Sequence, residues 1–322
     1  MRSCVIFGGA GFIGTHLARH FLASGRFERI YIADIRPSPL AGQNGIVASV
    51  TDVRQPIAAD LVTEAPEWIF NFAAIHREPG HRAEEFFDTN LAGAANVCRF
   101  AEGTGGNNIY FTSSISVYGP TSGPTPEAAR ICPITPYGGS KYPAEVMHQG
   151  WQQRGGGRRL VIVRPGVVYG PGDPGNILRM IRAIKRGYFA FPGSKDIRKS
   201  YAYIFGLIDS IDFVMARTEP VIVYNYVESP TEPLGELANI TKTFLGSSAP
   251  VFAIPMSLLK VAASGAQAVF GSRNPIHPVR VRKAAMSTHI VPKWLTDAGF
   301  EFRYPFDRSL EHWRGITPGD FE

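Results

Sequence analysis

The fold can be inferred from the stretch Phe7-Gly8-Gly9-Ala10-Gly11-Phe12-Ile13-Gly14, which follows a short apolar run and opens a helical pattern. A glycine-rich turn between a buried strand and a helix is the context of a dinucleotide-binding loop. Gly8 would make the sharp turn, Gly11 would let the backbone approach a pyrophosphate, and Gly14 would let the helix pack on the strand. The helix N-terminus would contribute N–H donors and a partial positive charge.

Beyond this turn, short β-branched runs alternate with longer helical patterns, which predicts a parallel sheet covered by helices on both faces. Strands are predicted at residues 3–7, 29–33, 45–49, 68–72, 108–112 and 160–164. Helices are predicted at residues 10–23, 83–102, 137–154 and 177–186. The predicted fold class is therefore α/β, a Rossmann-type doubly wound parallel sheet with a smaller, mostly helical C-terminal substrate lobe.

The composition of the sequence changes after Arg164, where prolines and glycines follow one another closely up to residue 175. Such turn-rich sequence marks a boundary between structural units. We predict a cofactor-binding domain at residues 1–164, rejoined by about 199–228. The remaining residues, 165–198 and 229–322, are predicted to form the substrate-binding lobe.

Composition excludes several classes of protein. The 322 residues carry a net charge of +6, but the basic residues are scattered and cluster only at 158–159 and 280–283. This distribution argues against nucleic acid and favours a small anionic ligand. The longest apolar stretch, residues 251–270, is interrupted by Pro255 and Lys260, so we expect no membrane segment and no membrane partner.

The three cysteines, Cys4, Cys98 and Cys132, are far apart and form no CxxC pair. This pattern argues against a disulfide framework and against a zinc site, and it fits a reducing compartment. We therefore expect a cytoplasmic protein without a bound metal.

Asp34 lies twenty residues beyond Gly14, at the end of the second predicted strand. A carboxylate there would accept hydrogen bonds from the adenosine ribose diol and would repel a 2′-phosphate. This favours NAD over NADP, although Arg36, two residues further on, is itself a candidate phosphate contact.

A candidate for proton transfer is the sequence Tyr137-Gly138-Gly139-Ser140-Lys141. A spacing of four places Tyr137 and Lys141 on the same face of a helix. A phenol with a pKa of about 10 is a poor base at neutral pH, but a nearby ammonium would stabilise the phenolate, as would the positive nicotinamide ring. The pattern thus predicts a tyrosine base whose pKa is lowered by roughly three units.

In their order and separations these motifs resemble the extended short-chain dehydrogenases/reductases, specifically the NAD-dependent epimerase/dehydratase family. The resemblance implies that Ser114 is the catalytic hydroxyl and that Lys141 also holds the nicotinamide ribose. It implies a homodimer formed by the helices at 83–102 and 137–154. Further cofactor contacts implied by the resemblance are Phe12, Ile13, Asp52, Val53, Phe72, Ala73, Ala74, Asn90 and Pro165.

Within this family the residues after the catalytic hydroxyl distinguish the chemistries. Ile115 and Ser116 stand where the family's dehydratases carry an acidic pair, and no cysteine lies beside Ser114 for carbon-acid epimerisation. The expected activity is an NAD-dependent nucleotide-sugar 4-epimerisation through a transient keto sugar, with Tyr137 as the base. Two alternatives remain: an NAD(P)-dependent dehydrogenase or reductase of a keto-sugar nucleotide or sterol-like alcohol, and a non-catalytic NAD(P)-binding sensor.

The candidate substrate contacts are His76, Ser116, Asn176 and Arg179. Asn176 has two interpretations, a cap of the following helix or a contact to a substrate phosphate. Two positions depart from the family pattern: Val167 replaces a frequent asparagine, and residues 203–207 lack the usual aspartate. These departures predict an unusual mode of substrate binding.

Overall fold

The computed structural model describes residues 1–78, 80–270, 281 and 286–322. The strands are β1 (Ser3–Phe7), β2 (Arg29–Asp34), β3 (Ile46–Val50), β4 (Trp68–Asn71), β5 (Asn108–Thr112), β6 (Arg159–Pro165), β7 (Val167–Tyr169), β8 (Ala190–Pro192), β9 (Tyr201–Tyr203), β10 (Val221–Tyr226) and β11 (Phe252–Ile254). The helices are α1 (Phe12–Ser24), α2 (Ala83–Thr104), α3 (Pro136–Gln153), α4 (Asn176–Lys185), α5 (Ile204–Met215), α6 (Leu234–Leu245), α7 (Met256–Phe270), α8 (Lys293–Asp297) and α9 (Phe306–Ile316).

The central sheet has seven parallel strands in the order β10-β6-β5-β4-β1-β2-β3. The chain moves outward from β1 to β3, then crosses back so that β4 pairs with the other side of β1. The carboxyl ends of β1 and β4 therefore meet at the topological switch point, where ligands bind in open α/β sheets. This architecture confirms the predicted Rossmann-type fold class.

The inner strands of the sheet are largely apolar because both faces of the sheet are covered there, whereas the edge strand β3 is mostly exposed. In β1 the side chains of Cys4 and Ile6 enter one core, while Val5 and Phe7 enter the other. This alternation follows from the period of two along a strand. A strand buried on both faces reads as a continuous apolar run, which is why the sequence located the strands of the Rossmann half closely.

Three helix starts differ from the predictions, that of α3 by one residue only. Helix α1 begins at Phe12 instead of residue 10, because Gly11 at the N-cap position has an extended backbone, with φ −77° and ψ 177°. The expected capping of α4 by Asn176 is wrong, since Gly175 occupies the N-cap and Asn176 is already the first helical residue. The Asn176 Oδ1 instead accepts a hydrogen bond of 2.8 Å from Arg179 Nη2.

Apart from β10, the strands after β6 form smaller sheets beside the main sheet. Strand β7 pairs with β9, and β8 pairs with β11. The division into a cofactor domain and a substrate lobe remains a prediction. In the described part of the chain, no helix has the length and apolar character needed to span a bilayer. Of the basic cluster at residues 280–283, all but Val281 lie outside the described residues.

Candidate active site

The glycine turn after β1 lies against the segment that follows β4. Gly8 has a φ of +75°, a left-handed conformation that side chains rarely adopt, and its N–H donates to the Ala33 carbonyl at 2.8 Å. A Cβ added to Gly8 would lie 2.7 Å from both Phe72 C and Ala73 N. Only glycine fits here. Because Gly8 has no side chain, β1, β2 and the end of β4 can come into close contact at this turn.

The first turn of α1 is arranged to receive an anionic group. Gly11 at its N-cap supplies no side-chain cap, so the N–H groups at the start of the helix are left for a ligand. A Cβ on Gly14 would lie 2.6 Å from the Gly9 Cα, whereas a Cβ on Gly11 would meet only the Gly8 oxygen, at 3.1 Å. Gly14 thus permits the packing of the helix, and Gly11 keeps the surface of the turn open. A glycine cradle of this shape fits a dinucleotide pyrophosphate.

Asp34 is held at the tip of β2 with only 7% of its surface exposed. Its Oδ2 accepts from Ala10 N at 3.1 Å and its Oδ1 accepts from Arg36 N at 3.0 Å. The Arg36 side chain is exposed and its Nε lies 3.7 Å from the same carboxylate. A carboxylate fixed beside the glycine turn suits a ribose diol and opposes a 2′-phosphate.

Asp52 and Val53, two of the cofactor contacts implied by the resemblance, have different surroundings. The Asp52 carboxylate is bound to Arg54, with 2.6 Å between Oδ2 and Nη2. Val53 is buried against Gly93 of α2, where an added Cβ would lie 2.9 Å from Val53 Cγ2. Asn96 donates to the Val53 carbonyl at 2.8 Å and so fixes this segment to α2.

Asn90 positions the loop that follows β4. Its Oδ1 accepts from Ile75 N at 3.1 Å, and its Nδ2 donates to the Ile75 carbonyl at 3.2 Å and to Ser140 Oγ at 2.8 Å. Asn90 thereby ties the Ala73-Ala74 segment to the first turn of α3. The sequence placed Asn90 near the active site, and the structure adds that it holds two other elements together.

Ser114, Tyr137 and Lys141 come together at the carboxyl end of β5 and the start of α3. The Ser114 hydroxyl lies near enough to the Tyr137 phenol to lower the pKa of Tyr137. The Lys141 Nζ lies 6.0 Å from the centre of the Tyr137 ring and donates to the Thr112 carbonyl at 2.8 Å. Lys141 is buried, with 2% of its surface exposed. The three predicted catalytic side chains therefore share one site.

Burial has the largest effect on the pKa values of Tyr137 and Lys141. Burial raises the pKa of Tyr137 to about 12; the Ser114 hydroxyl opposes this rise and the charge of Glu78 adds to it. Burial lowers the pKa of Lys141 to about 7, against the charge of Glu145. The predicted lowering of the Tyr137 pKa rested on two cations, Lys141 and the nicotinamide ring, and it stays a prediction for the enzyme with NAD bound. Among the protein groups alone, desolvation of the phenolate outweighs the other contributions.

A buried charge network behind Lys141 was missed by the sequence analysis. Glu145, one helical turn after Lys141, accepts from Arg164 Nε at 2.9 Å and from Arg164 Nη2 at 2.7 Å. Ser113 donates to the same carboxylate, and Arg164 Nη1 donates to Tyr118 OH at 2.8 Å. A glutamate four residues after a catalytic lysine on one helix face was the available signal. The partner Arg164 could not be found by spacing, since it comes from another strand.

Glu78 was also missed. Its Oε1 accepts from Tyr137 N at 3.1 Å, at the N-terminal end of α3 where negative charge is favoured. Glu78 thus links the loop after β4 to the backbone of Tyr137.

The candidate substrate residues surround this site but do not form one cluster. Ser116 lies closest, because its N–H and its Oγ each lie 3.1 Å from Ser114 Oγ. His76, Asn176 and Arg179 are exposed. Burial raises the pKa of Asp173, and the charges of Arg179 and Arg77 oppose this rise. Arg77, which the sequence analysis did not single out, therefore lies on the same side as Arg179.

Residues 203–207, which lack the aspartate usual in the family, form an aromatic contact between α1 and α9. Phe205 packs edge-to-face on His312 of α9, with 4.6 Å between ring centres, and on His16 of α1, with 5.5 Å. An aromatic ring therefore joins the cofactor helix to the C-terminal helix where the family pattern has an acid.

Comparisons with known proteins agree with this geometry. The family model described as the NAD dependent epimerase/dehydratase family matches residues 4–226. An N-acetyl-α-D-glucosaminyl-diphospho-ditrans,octacis-undecaprenol 4-epimerase of Escherichia coli O157:H7 is 26% identical over 312 residues, covering 95% of this chain and 92% of the relative. A UDP-glucose 4-epimerase of Rhizobium leguminosarum bv. trifolii is 29% identical over 171 residues, 49% of this chain and 50% of the relative.

The fold is also similar to solved structures. The Thermus thermophilus UDP-glucose 4-epimerase in complex with NAD superimposes with a TM-score of 0.71 at 20% identity, covering 98% of this chain and 100% of the other. The family match over residues 4–226 defines the class of protein. The glycine cradle and the Ser114-Tyr137-Lys141 group agree with it. The chain belongs to the NAD-dependent epimerase/dehydratase family and is an enzyme of that family.

Proposed function

We propose that this enzyme is a 4-epimerase of a sugar joined to its carrier through a diphosphate, with nucleotide sugars as the first substrate class to test. The observation that carries the proposal is the placement of Tyr137 and Ser114 beside the buried Lys141, at the sheet end that holds the glycine cradle. The 4-epimerase names of the relatives support it.

The chemistry that NAD supplies when bound is reversible hydride transfer at the sugar carbon C4. Tyr137 would take the proton of the C4 hydroxyl during oxidation and return it during reduction. Ser114 would hold the oxygen as it alternates between hydroxyl and ketone. Lys141 would hold the nicotinamide ribose, and its charge would favour the Tyr137 phenolate. The Glu145–Arg164 pair keeps an anion near Lys141 and so favours its charged form.

Epimerisation also requires the keto sugar to present its other face while its diphosphate stays bound. Arg77 and Arg179 are exposed cations on the same side of the site, and a guanidinium fork matches phosphate oxygens. We propose these two side chains, with His76, Ser116 and Asn176, as the substrate contacts. Ile115 and Ser116 supply no acid after Ser114, so dehydration is not favoured.

The test is to incubate the NAD-loaded protein with UDP-sugars and with undecaprenyl-diphosphate N-acetylglucosamine in detergent, then separate the epimers by chromatography. Tyr137→Phe is expected to lower the rate at least about 100-fold, because it removes the acid–base group. Tyr142→Phe is the matched control, since Tyr142 is exposed on the same helix, and it should keep the wild-type rate.

Three outcomes are informative. Interconversion of C4 epimers without net formation of reduced nicotinamide supports the epimerase. Net reduction or oxidation of the cofactor would instead show a dehydrogenase or reductase. Absence of any reaction across the panel, with NAD bound, would contradict the proposal and favour a cofactor-binding sensor.

A further inference from the structure

The loop between β4 and α2 is tied to the start of α3 at two points. The first link runs through Asn90, whose side chain bonds both the N–H and the carbonyl of Ile75. Asn90 Nδ2 also donates to Ser140 Oγ at 2.8 Å, and Ser140 Oγ donates to the Tyr137 carbonyl at 2.8 Å. Ile75 is thus connected to the backbone oxygen of Tyr137 through two buried side chains.

The second link is the half-buried Glu78. Its Oε1 accepts a hydrogen bond of 3.1 Å from Tyr137 N, in the first turn of α3. The first N–H groups of a helix have no partner within the helix, and a carboxylate is favoured beside them. Both backbone polar groups of Tyr137 are therefore connected to the same loop.

The two links enclose His76 and Arg77, which are both exposed and both proposed as substrate contacts. Burial lowers the pKa of His76, so Arg77 is the charged member of the pair at neutral pH. Because only two residues stand between Ile75 and Glu78, this pair cannot shift far without straining one of the links. A substrate diphosphate bound by Arg77 would therefore lie at a fixed place relative to Tyr137.

Glu78 also brings a negative charge to the phenol. Burial raises the pKa of Tyr137 to about 12, and the charge of Glu78 adds to this rise. The other groups that face the phenol or its neighbouring lysine are Ser114 from the end of β5, Phe86 from α2, His76 from the same loop as Glu78, and Lys141 with Glu145 from α3. Lys141 favours the phenolate, and Glu78 opposes it.

We propose that Glu78 is a positioning residue of the reaction, which fixes the start of α3 against the loop that carries Arg77 and whose charge helps Tyr137 to keep its proton. The inference rests on the proposed function, in which Tyr137 takes the proton of the C4 hydroxyl and later returns it. A group that acts first as base and then as acid works best when neither form is strongly favoured. Glu78 offsets the preference for the phenolate that Lys141 and the positive nicotinamide ring of bound NAD would give.

The experiment measures kcat and KM of the NAD-loaded protein against pH, on whichever diphosphate sugar reacts. Glu78→Gln removes the charge but keeps an oxygen that can accept from Tyr137 N. Because Tyr137 must be deprotonated to begin the reaction, kcat rises with pH, and Glu78→Gln should move this rise to lower pH by about half a unit or more. Glu78→Ala also removes the acceptor, so its highest kcat should be at least about tenfold below that of Glu78→Gln, with KM changed less than about threefold.

Glu84→Gln is the matched control, because Glu84 is exposed in the first turn of α2 and solvent screens its charge. This variant loses the same charge and should keep the wild-type pH profile. A Glu78→Gln profile that coincides with that of the wild type overturns the proposal. An equal shift in Glu84→Gln overturns it too, since the effect would then belong to the net charge of the protein.

Hydrogen exchange of the Tyr137 amide tests the link to α3 without turnover. Mass spectrometry of overlapping peptic fragments should show exchange at least about tenfold faster in Glu78→Ala, because the amide loses its acceptor. Glu78→Gln should exchange like the wild type, and thermal unfolding checks that both variants fold. Unchanged exchange in Glu78→Ala overturns the proposal. Inactivity of the wild type on every sugar would remove the proposed function, whereas the exchange result would still decide whether Glu78 holds the start of α3.

Discussion

Protonation of the buried His148 side chain is expected to lower the stability of the folded protein at acid pH. It lies in α3 with its ring stacked on Phe111 at 4.2 Å, its Nδ1 donates to the Ala144 carbonyl at 2.7 Å, and its Nε2 lies 3.3 Å from Asn71 Nδ2. Burial lowers the pKa of His148 to about 4, the Ala144 carbonyl opposes this, and the charge of Lys141 adds to it. The native protein therefore holds this imidazole neutral.

The sign of the pH effect follows from linkage. Below pH 6.5 the unfolded chain takes up a proton at His148 that the native state refuses until about pH 4. The free energy of unfolding should fall by about 3 kcal/mol over this window. In His148→Gln this loss disappears. Urea unfolding from pH 4 to 8 measures this loss. The free energies of unfolding of the wild type and the variant should differ by a constant above pH 7 and converge as the pH falls below 7. Parallel curves would contradict the prediction.

At the level of single residues, the sequence predicted what lies in local motifs. Gly8, Asp34 and Tyr137 were placed correctly because each belongs to a turn, a strand end or a helix face with a fixed spacing. The partners of Lys141 and Glu145 were not predictable, because Thr112 and Arg164 come from strands of the sheet and only the fold brings them to α3. The desolvation that raises the Tyr137 pKa was not predictable for the same reason, since burial is a property of the whole site.

Helix α3 approaches the serine loop so closely that one of its glycines is required. A Cβ on Gly138 would overlap the Ser116 carbonyl oxygen, whereas a Cβ on Gly139 would meet only Phe87 Cζ at 3.5 Å. Gly138→Ala should push the Tyr137 phenol away from Ser114 and lower kcat at least about tenfold, a cost of about 1.4 kcal/mol.

Gly139→Ala is the matched control for this prediction. A helical glycine replaced by alanine in open space gains about 0.5–1 kcal/mol of stability. Steady-state kinetics and thermal unfolding of the two variants separate the effects. Equal rates for Gly138→Ala and wild type would show that the close approach does not position the tyrosine.

At the scale of elements, predicted and observed bounds agree where periodicity is strong. The strand at Asn108–Thr112 matches its prediction exactly in both bounds, and α2 extends the predicted helix by two residues. Errors fall at helix starts, as at Asn176, where a side chain suited to capping stands next to a glycine that takes the N-cap. Short pairs such as β8 with β11 were not predicted, because three-residue strands carry no detectable period.

At the scale of the whole molecule, α2 and α3 expose apolar side chains on which we expect the homodimer to assemble. Helices α2 and α3 pack side by side, and their outward sides expose Phe87, Tyr142 and Val146. Two such helix pairs would bury these residues in a four-helix bundle. Val146→Lys should dissociate the dimer to monomers at micromolar concentration, as measured by analytical ultracentrifugation.

Ile316→Lys provides the control for this surface, because Ile316 is similarly exposed, at 45% against 49% for Val146, but ends α9. A wild type that sediments as a monomer would remove the dimer. If Val146→Lys and Ile316→Lys both convert the dimer to monomers, the effect would not be specific to Val146. The dimer interface could then not be assigned to α2 and α3.

The bonding of Asp34 has a consequence for how long the cofactor stays. Each of its carboxylate oxygens already accepts one backbone N–H, from Ala10 or Arg36, and each retains a lone pair for a ribose hydroxyl. Binding then breaks no existing contact and orders no new side chain, so little entropy is lost on association. The expected result is slow dissociation, with NAD carried through purification on the enzyme and exchanged over many turnovers.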